Sequence, residues 1–164
     1  MLKIRAATVA DAELIATFVR ELADYEKLAH EARANAADFA RELSAPQSII
    51  HVLLADWHDE PAGFALYFFN FSTFVGRPGL YLEDLFVRPH LRAHGIGRAL
   101  LAELARVAKA RNCGRMEWAV LNWNEPAIKF YLSLGARPMT EWQVYRLTPA
   151  EIDELSAESP RRPS

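Results

Sequence analysis

The amino-acid sequence predicts a single domain of mixed α/β class with antiparallel strands in the middle, and three observations carry that reading. Strand-like and helix-like periodicities follow one another in the order strand, helices, three strands, helix, strand, helix, strand. The three central strand runs are joined by turn-rich segments only, as antiparallel neighbours are. A chain of 164 residues is also long enough to bury roughly 70% of its unfolded surface around one core.

The segment Lys3 to Ala7 reads as the first strand. Thr8 followed by Asp11 resembles a capping box that opens a helix, whose stripe is Leu14, Ile15, Phe18, Val19, Leu22 and Tyr25. A weaker helix starts near Asn35. Ile49 to Ala55 and Ala62 to Phe71 flank Trp57-His58-Asp59-Glu60-Pro61 and read as a buried hairpin. Leu80 to Val87 is the next strand. Helical spacing then runs from about Gly97 to Arg111 through Leu100, Leu101, Leu104, Val107 and Ala108. Arg115 to Leu121 is a further strand. Asn124 to Leu134 reads as a helix with Asn124 as N-cap, Pro126 in its first turn and Gly135 just past its end. A last strand, Gln143 to Leu147, precedes a short helix opened by Thr148-Pro149-Ala150-Glu151. Residues 1–156 are thus expected as one domain, with 157–164 as a flexible polar tail.

Composition narrows the function. Hydrophobic residues make up 51% and charged residues 24%, an ordinary globular balance. A net charge of -2 gives no overall reason to expect nucleic-acid or membrane partners. The single cysteine, Cys113, excludes an internal disulfide and suits a reducing cytoplasm. The N-terminus lacks the apolar run of a secretory signal, and the apolar run Phe64 to Phe69 breaks at Asn70, far short of a membrane span. The histidines show no metal-ligand spacing, and there is no GxSxG nucleophile elbow. Cys113 falls at a helix C-terminus, which disfavours a thiolate. The aromatic cluster Phe64, Tyr67, Phe68, Phe69, Phe71 and Phe74 reads as core or dimer interface rather than a base-stacking platform.

The chemistry concentrates between residues 82 and 98. From Leu85 to Ala102 there is no acid, but Arg88, His90, Arg92, His94 and Arg98 are present. Here a strand passes through a glycine-containing loop into a helix. Unpaired N–H groups and the positive dipole end, approached closely past Gly95 and Gly97, make an anion cradle suited to a phosphate or diphosphate. The alternative is a plain tight turn beside a solvated basic face. Position 100 is Leu, not the third glycine of a dinucleotide fingerprint, and no GxxxxGK loop occurs.

The run Arg92-Ala93-His94-Gly95-Ile96-Gly97 resembles the acetyl-CoA loop of the GNAT superfamily of N-acetyltransferases, Arg/Gln-x-x-Gly-x-Gly/Ala. The segment Asn124-Glu125-Pro126-Ala127-Ile128-Lys129-Phe130-Tyr131-Leu132-Ser133-Leu134-Gly135-Ala136 is similar to the second cofactor segment of that family. Three further runs, Leu22-Ala23-Asp24-Tyr25-Glu26, Tyr81-Leu82-Glu83-Asp84 and Trp123-Asn124-Glu125-Pro126, point to the diamine (spermidine/spermine-type) and thialysine acetyltransferase-like subfamily. The resemblance covers about Lys3 to Leu147. It implies an α/β fold with a mixed, largely antiparallel central sheet flanked by helices, in which a splayed parallel pair forms the acetyl-CoA cleft. One departure is Asn70-Phe71-Ser72-Thr73-Phe74, where the polyamine enzymes have an acid. That leaves room for a smaller amine or an amino-acid side chain.

The resemblance further implies site residues. Acetyl-CoA, the cosubstrate, is held by Leu85, Phe86 and Val87, by Arg92, Ala93, His94, Gly95, Ile96, Gly97 and Arg98, and by Asn124, Pro126 and Ala127. Residues 124 and 131 share a helix face roughly 10 Å apart along the axis. The family assigns Tyr131 as proton donor to the departing sulfur. The other reading of Tyr131 is a core tyrosine. Glu83 is the candidate base, acting through water, and Asp84 attracts the cationic amine, with Tyr25 and Glu26 lining its pocket. Regular strand alternation sets Glu83 and Asp84 on opposite faces, and a bulge near residues 84–86 would re-aim them. Such a bulge would also free N–H groups near Phe86 and Val87 to polarise the thioester oxygen. A strand-end salt bridge is the alternative for the acidic pair, and a core aromatic beside a solvated acid for Tyr25 and Glu26. The implied activity is transfer of acetyl from acetyl-CoA to a primary amine (small diamine, polyamine or lysine-like) by direct attack, in a homodimer and without metal. A protein or peptide lysine/N-terminal acetyltransferase and a non-catalytic acyl-CoA-binding module are the competing functions.

Overall fold

A computed structural model describes residues 1–158. The chain divides into two compact units, Met1–Leu121 and Asn122–Ser164. The expected tail falls mostly outside the described residues.

The first unit holds a five-stranded sheet in chain order: β1 (Leu2–Ala6), β2 (His51–Trp57), β3 (Glu60–Ser72), β4 (Arg77–Val87) and β5 (Arg115–Glu117). The first four form an antiparallel meander, and β5 joins β4 in parallel. Three helices accompany the sheet: α1 (Ala12–Tyr25), α2 (Ala36–Ser44) and α3 (Ile96–Ala110). The capping box of Thr8 and Asp11 forms, and the Arg5 guanidinium beside Asp11 holds its carboxyl well below the usual carboxylate range. Lys27 in the left-handed region ends α1, with the Leu28 N–H donating back to the Ala23 carbonyl at 2.8 Å.

On one sheet face Ile15, Phe18 and Leu22 of α1 pack on Val52, Leu54, Phe64, Leu66 and Phe86. Phe18 and Phe64 stack at 5.5 Å between ring centroids. The α3 stripe of Leu100, Leu101, Leu104 and Ala108 is buried, and α3 packs on β3 and β4. A Cβ at Gly63 would stand 2.3 Å from the Phe86 carbonyl oxygen, so β3 needs glycine there to pass close to β4.

The register between β3 and β4 shifts once. Tyr67 faces Leu82 and Leu66 faces Asp84, so Glu83 is an extra residue on β4. This bulge lies just before the expected window of residues 84–86. Ladder pairing resumes at Leu85, Phe86 and Val87, opposite Ala65, Phe64 and Gly63. A bulge strengthens local twist and bends its strand. Consistent with that, the parallel ladder to β5 stops at Tyr81 opposite Glu117, two residues before the bulge. Beyond Tyr81 no described strand pairs with that edge of β4, which gives the expected splay. It also explains why β5 ends at Glu117 and not at Leu121 as expected.

The second unit contains α4 (Glu125–Ser133) and α5 (Pro149–Ser156). The expected strand Gln143 to Leu147 does not form. Val144 and Tyr145 are each 89% exposed, and a period-two pattern makes a strand only where an edge accepts its ladder; no described segment does. Of the aromatic cluster expected as core or dimer interface, Phe64 and Tyr67 are buried, while Phe71 and Phe74 at the β3–β4 turn are exposed. No described helix is long and apolar enough to cross a membrane.

Candidate functional site

In the first unit, the loop from Arg88 to Gly95 turns β4 into α3. Its backbone takes left-handed geometry at Ala93 (φ 66°) and Gly95 (φ 77°), the latter as N-cap of α3. The cap offers no side-chain oxygen to the helix, and the first turn carries no acid. The first N–H groups of α3 therefore keep their donor capacity for an anion, reinforced by the helix dipole.

Gly97 supplies an independent observation. Its backbone is not left-handed, and a Cβ there would meet only Val87 Cγ2 at 3.9 Å, an ordinary contact. The fold does not need glycine at this place in the first turn of a helix, where it is unfavourable. Open space above that backbone fits a diphosphate approaching closely.

The basic side chains of the loop mostly build it. Arg88 makes a two-pronged ion pair with Glu21 of α1 at 2.9 and 3.0 Å, donates to the Pro61 carbonyl and lies over the Phe18 ring. His90 pairs with Glu60 at 2.8 Å. The Arg92 Nε–H donates to the Val87 carbonyl at 2.9 Å, and its guanidinium carbon lies 4.4 Å from the Tyr25 ring centroid. His94 Nδ1 is 2.9 Å from the Arg92 carbonyl, so the ring braces the turn. Arg98 is exposed, while the Ile96 side chain is buried in the core and leaves only its backbone to the cradle.

A second group gathers around the bulge. Glu83 is exposed, and Asp84 and Glu26 are half-buried. Asp84 shares the Phe86 and Leu66 side of the sheet. Burial first, then the charges of Glu83 and Glu26, pushes the Asp84 carboxyl up to about 7, and burial also raises Glu26. Glu83, the extra residue of the bulge, is among the charges that act on Asp84. A half-buried acid under the charge of two others is costly without a cation and suited to receiving one.

Beside them opens a cleft of about 470 Å³ lined by Glu21, Asp24, Tyr25, Phe86, Arg88, Pro89 and His90. Tyr25, expected in an amine pocket, lines this cleft together with Glu21 and Asp24, which the sequence reading did not single out. The signal was present, since residues 21, 24 and 25 occupy one helix face at spacings of three and four.

In the second unit, Asn124 is 8% exposed and caps α4, its side-chain oxygen accepting from the Ala127 N–H at 3.4 Å. Ala127, expected among the cofactor-binding residues, thus gives its N–H to the cap. Pro126 stands exposed in the first turn, and Gly135 ends the helix with φ 86°. Tyr131 is half-buried, its ring 5.6 Å from that of Phe130.

The acetyltransferase (GNAT) family model matches residues 15–136. The chain is 34% identical over 164 residues to a thialysine N-epsilon-acetyltransferase of Sus scrofa, covering 93% of this chain and 96% of that protein. It is 44% identical over 87 residues to an L-ornithine N5-acetyltransferase of Arabidopsis thaliana, covering 53% of this chain and 38% of that one. Among solved structures, an integron cassette protein from the mobile metagenome of V. cholerae superposes with a TM-score of 0.78 at 30% identity, covering 96% of this chain and 98% of that one.

Proposed function

Since the chain belongs to the acetyltransferase (GNAT) family and is an N-acetyltransferase, we propose that it acetylates the primary amine of a small diamine or an amino-acid side chain. The observation that carries this reading is the half-buried Asp84, raised by burial and by the charges of Glu83 and Glu26, beside the β4 bulge on the strand that leads into the anion cradle. When bound, acetyl-CoA supplies the acetyl group as a thioester open to direct attack by the amine.

In this reading the first-turn N–H groups of α3 hold the diphosphate past Gly95 and Gly97, and Asn124 orients the pantetheine arm. The acidic cluster draws in the ammonium, and one carboxylate takes its proton. An alkylammonium with pKa about 10.4 costs on the order of 4–5 kcal/mol to deprotonate at neutral pH, so a poised acceptor matters. Glu83 fills that role through water by family resemblance; the half-buried setting of Asp84 between two acids favours Asp84. Tyr131 protonates the departing sulfur. The same reading treats residues 1–156 as one catalytic domain, working as a cytoplasmic homodimer without metal.

The direct test is thiol release from acetyl-CoA with thialysine, ornithine, putrescine, spermidine and lysine peptides, against a no-amine control. Turnover with small amines exceeding that with peptides is expected. Release from peptides alone moves the acceptor to proteins, and binding of acetyl-CoA without release across the panel removes catalysis.

Gly97→Ala separates cofactor binding from folding. Alanine is expected to stabilise the fold by about 0.5–1 kcal/mol in urea unfolding, because glycine is costly in a helix. Its methyl group occupies the cradle, so titration calorimetry is expected to show coenzyme A affinity weakened by at least tenfold. Unchanged affinity would place the diphosphate elsewhere.

A further inference from the structure

We propose that Arg92 is a positioning residue for the amine pocket, coupling a diphosphate on the loop of residues 92–98 to an amine held against Tyr25. The proposal rests on the acetyltransferase reading of the same cleft. An arginine whose only task was to meet an anion would extend its guanidinium outward beside the loop. Arg92 turns inward instead. Its Nε–H donates to the Val87 carbonyl at the end of β4, and its guanidinium stacks 4.4 Å from the Tyr25 centroid and 5.9 Å from that of Phe86.

Both of those rings line the cleft of about 470 Å³. The Arg92 backbone leads directly into the left-handed turn at Ala93 and Gly95 that presents the N-terminus of α3. One side chain therefore links the strand end, the cleft wall and the anion loop. A planar cation over a partly desolvated ring is directional and attractive, so moving the loop moves the ring or breaks the stack. The neighbouring pair Arg88–Glu21 anchors the same stretch of α1 one turn earlier.

Coupling between two ligands is reciprocal, so each must change the affinity of the other by one factor. Coenzyme A affinity is measured by calorimetry with and without the saturating amine of highest kcat/KM among thialysine, ornithine and putrescine. In the wild type the amine is expected to shift coenzyme A affinity about fivefold. Arg92→Gln and Tyr25→Leu are expected to abolish the shift and to raise amine KM about tenfold with kcat within threefold. Tyr25→Phe keeps the ring and keeps the shift. The double variant Arg92→Gln/Tyr25→Leu is expected to be no worse in KM than either single one.

A full shift in Arg92→Gln, or effects that multiply in the double variant, would overturn the coupling while leaving the acetyltransferase reading intact. A wild type that neither binds coenzyme A nor releases thiol overturns both.

Discussion

Tyr131→Phe is expected to lower kcat about a hundredfold while acetyl-CoA affinity stays within about twofold, the loss a positioned proton donor typically shows. A thiolate leaving group departs poorly from a collapsing tetrahedral carbon when nothing neutralises it, and a phenol of pKa about 10 both hydrogen-bonds and protonates it. The substitution removes one oxygen and keeps the ring, so the tilted contact with Phe130 survives. Thiol-release kinetics and calorimetry read the two quantities separately. Loss of affinity equal to the loss of rate would make Tyr131 a binding residue, and unchanged turnover would return it to the helix packing of α4. The contrast matters because Tyr131 and Asn124 lie in the second compact unit, whereas the loop and the acids lie in the first.

The layout of the first unit was legible because its elements carry redundant signals. The α1 and α3 stripes, the capping box at Thr8 and Asp11, and the turn-separated runs of β2 and β3 each agree with the packing that follows. The turn from β4 into α3 was legible for the same reason, since glycines, a strand end and an acid-free helix start coincide in one stretch. What the sequence could not place were features set by pairing partners. The bulge depends on how β4 registers with β3, so its position at Glu83 is not written in β4 alone. The early end of β5 follows from that bulge, and residues 143–147 show alternation without the ladder that would make it a strand. The basic run illustrates the opposite limit. Its charges suggested anion ligands, yet Arg88, His90 and Arg92 mostly meet Glu21, Glu60, Val87 and Tyr25, contacts between segments up to 67 residues apart.

Asp84→Asn tests the other half of the chemistry, and its two readouts carry opposite signs. With its carboxyl pushed up to about 7, Asp84 is protonated in the free enzyme below neutrality and charged above it. The rate constant kcat/KM for a primary amine is expected to rise through a limb centred at about 7, and in Asp84→Asn that limb disappears with a loss of about a hundredfold at pH 8. A bound ammonium favours the charged carboxylate, so in wild type the corresponding limb of kcat lies at lower pH. If Glu83 is the base instead, Glu83→Gln takes the larger rate loss and the limb persists in it. Stability moves the other way. A carboxyl whose folded pKa exceeds its ordinary 3.8 binds its proton more tightly in the folded chain. The associated stability is complete below pH about 4 and is lost as pH rises to about 7. Asparagine carries no such loss, so urea unfolding is expected to find Asp84→Asn more stable than wild type at pH 8, by at most on the order of 4 kcal/mol, with the gain vanishing near pH 4. A variant both slower and less stable at pH 8 would mean that Asp84 is a structural hydrogen-bonding group, and the acid cluster would lose its claim on the amine.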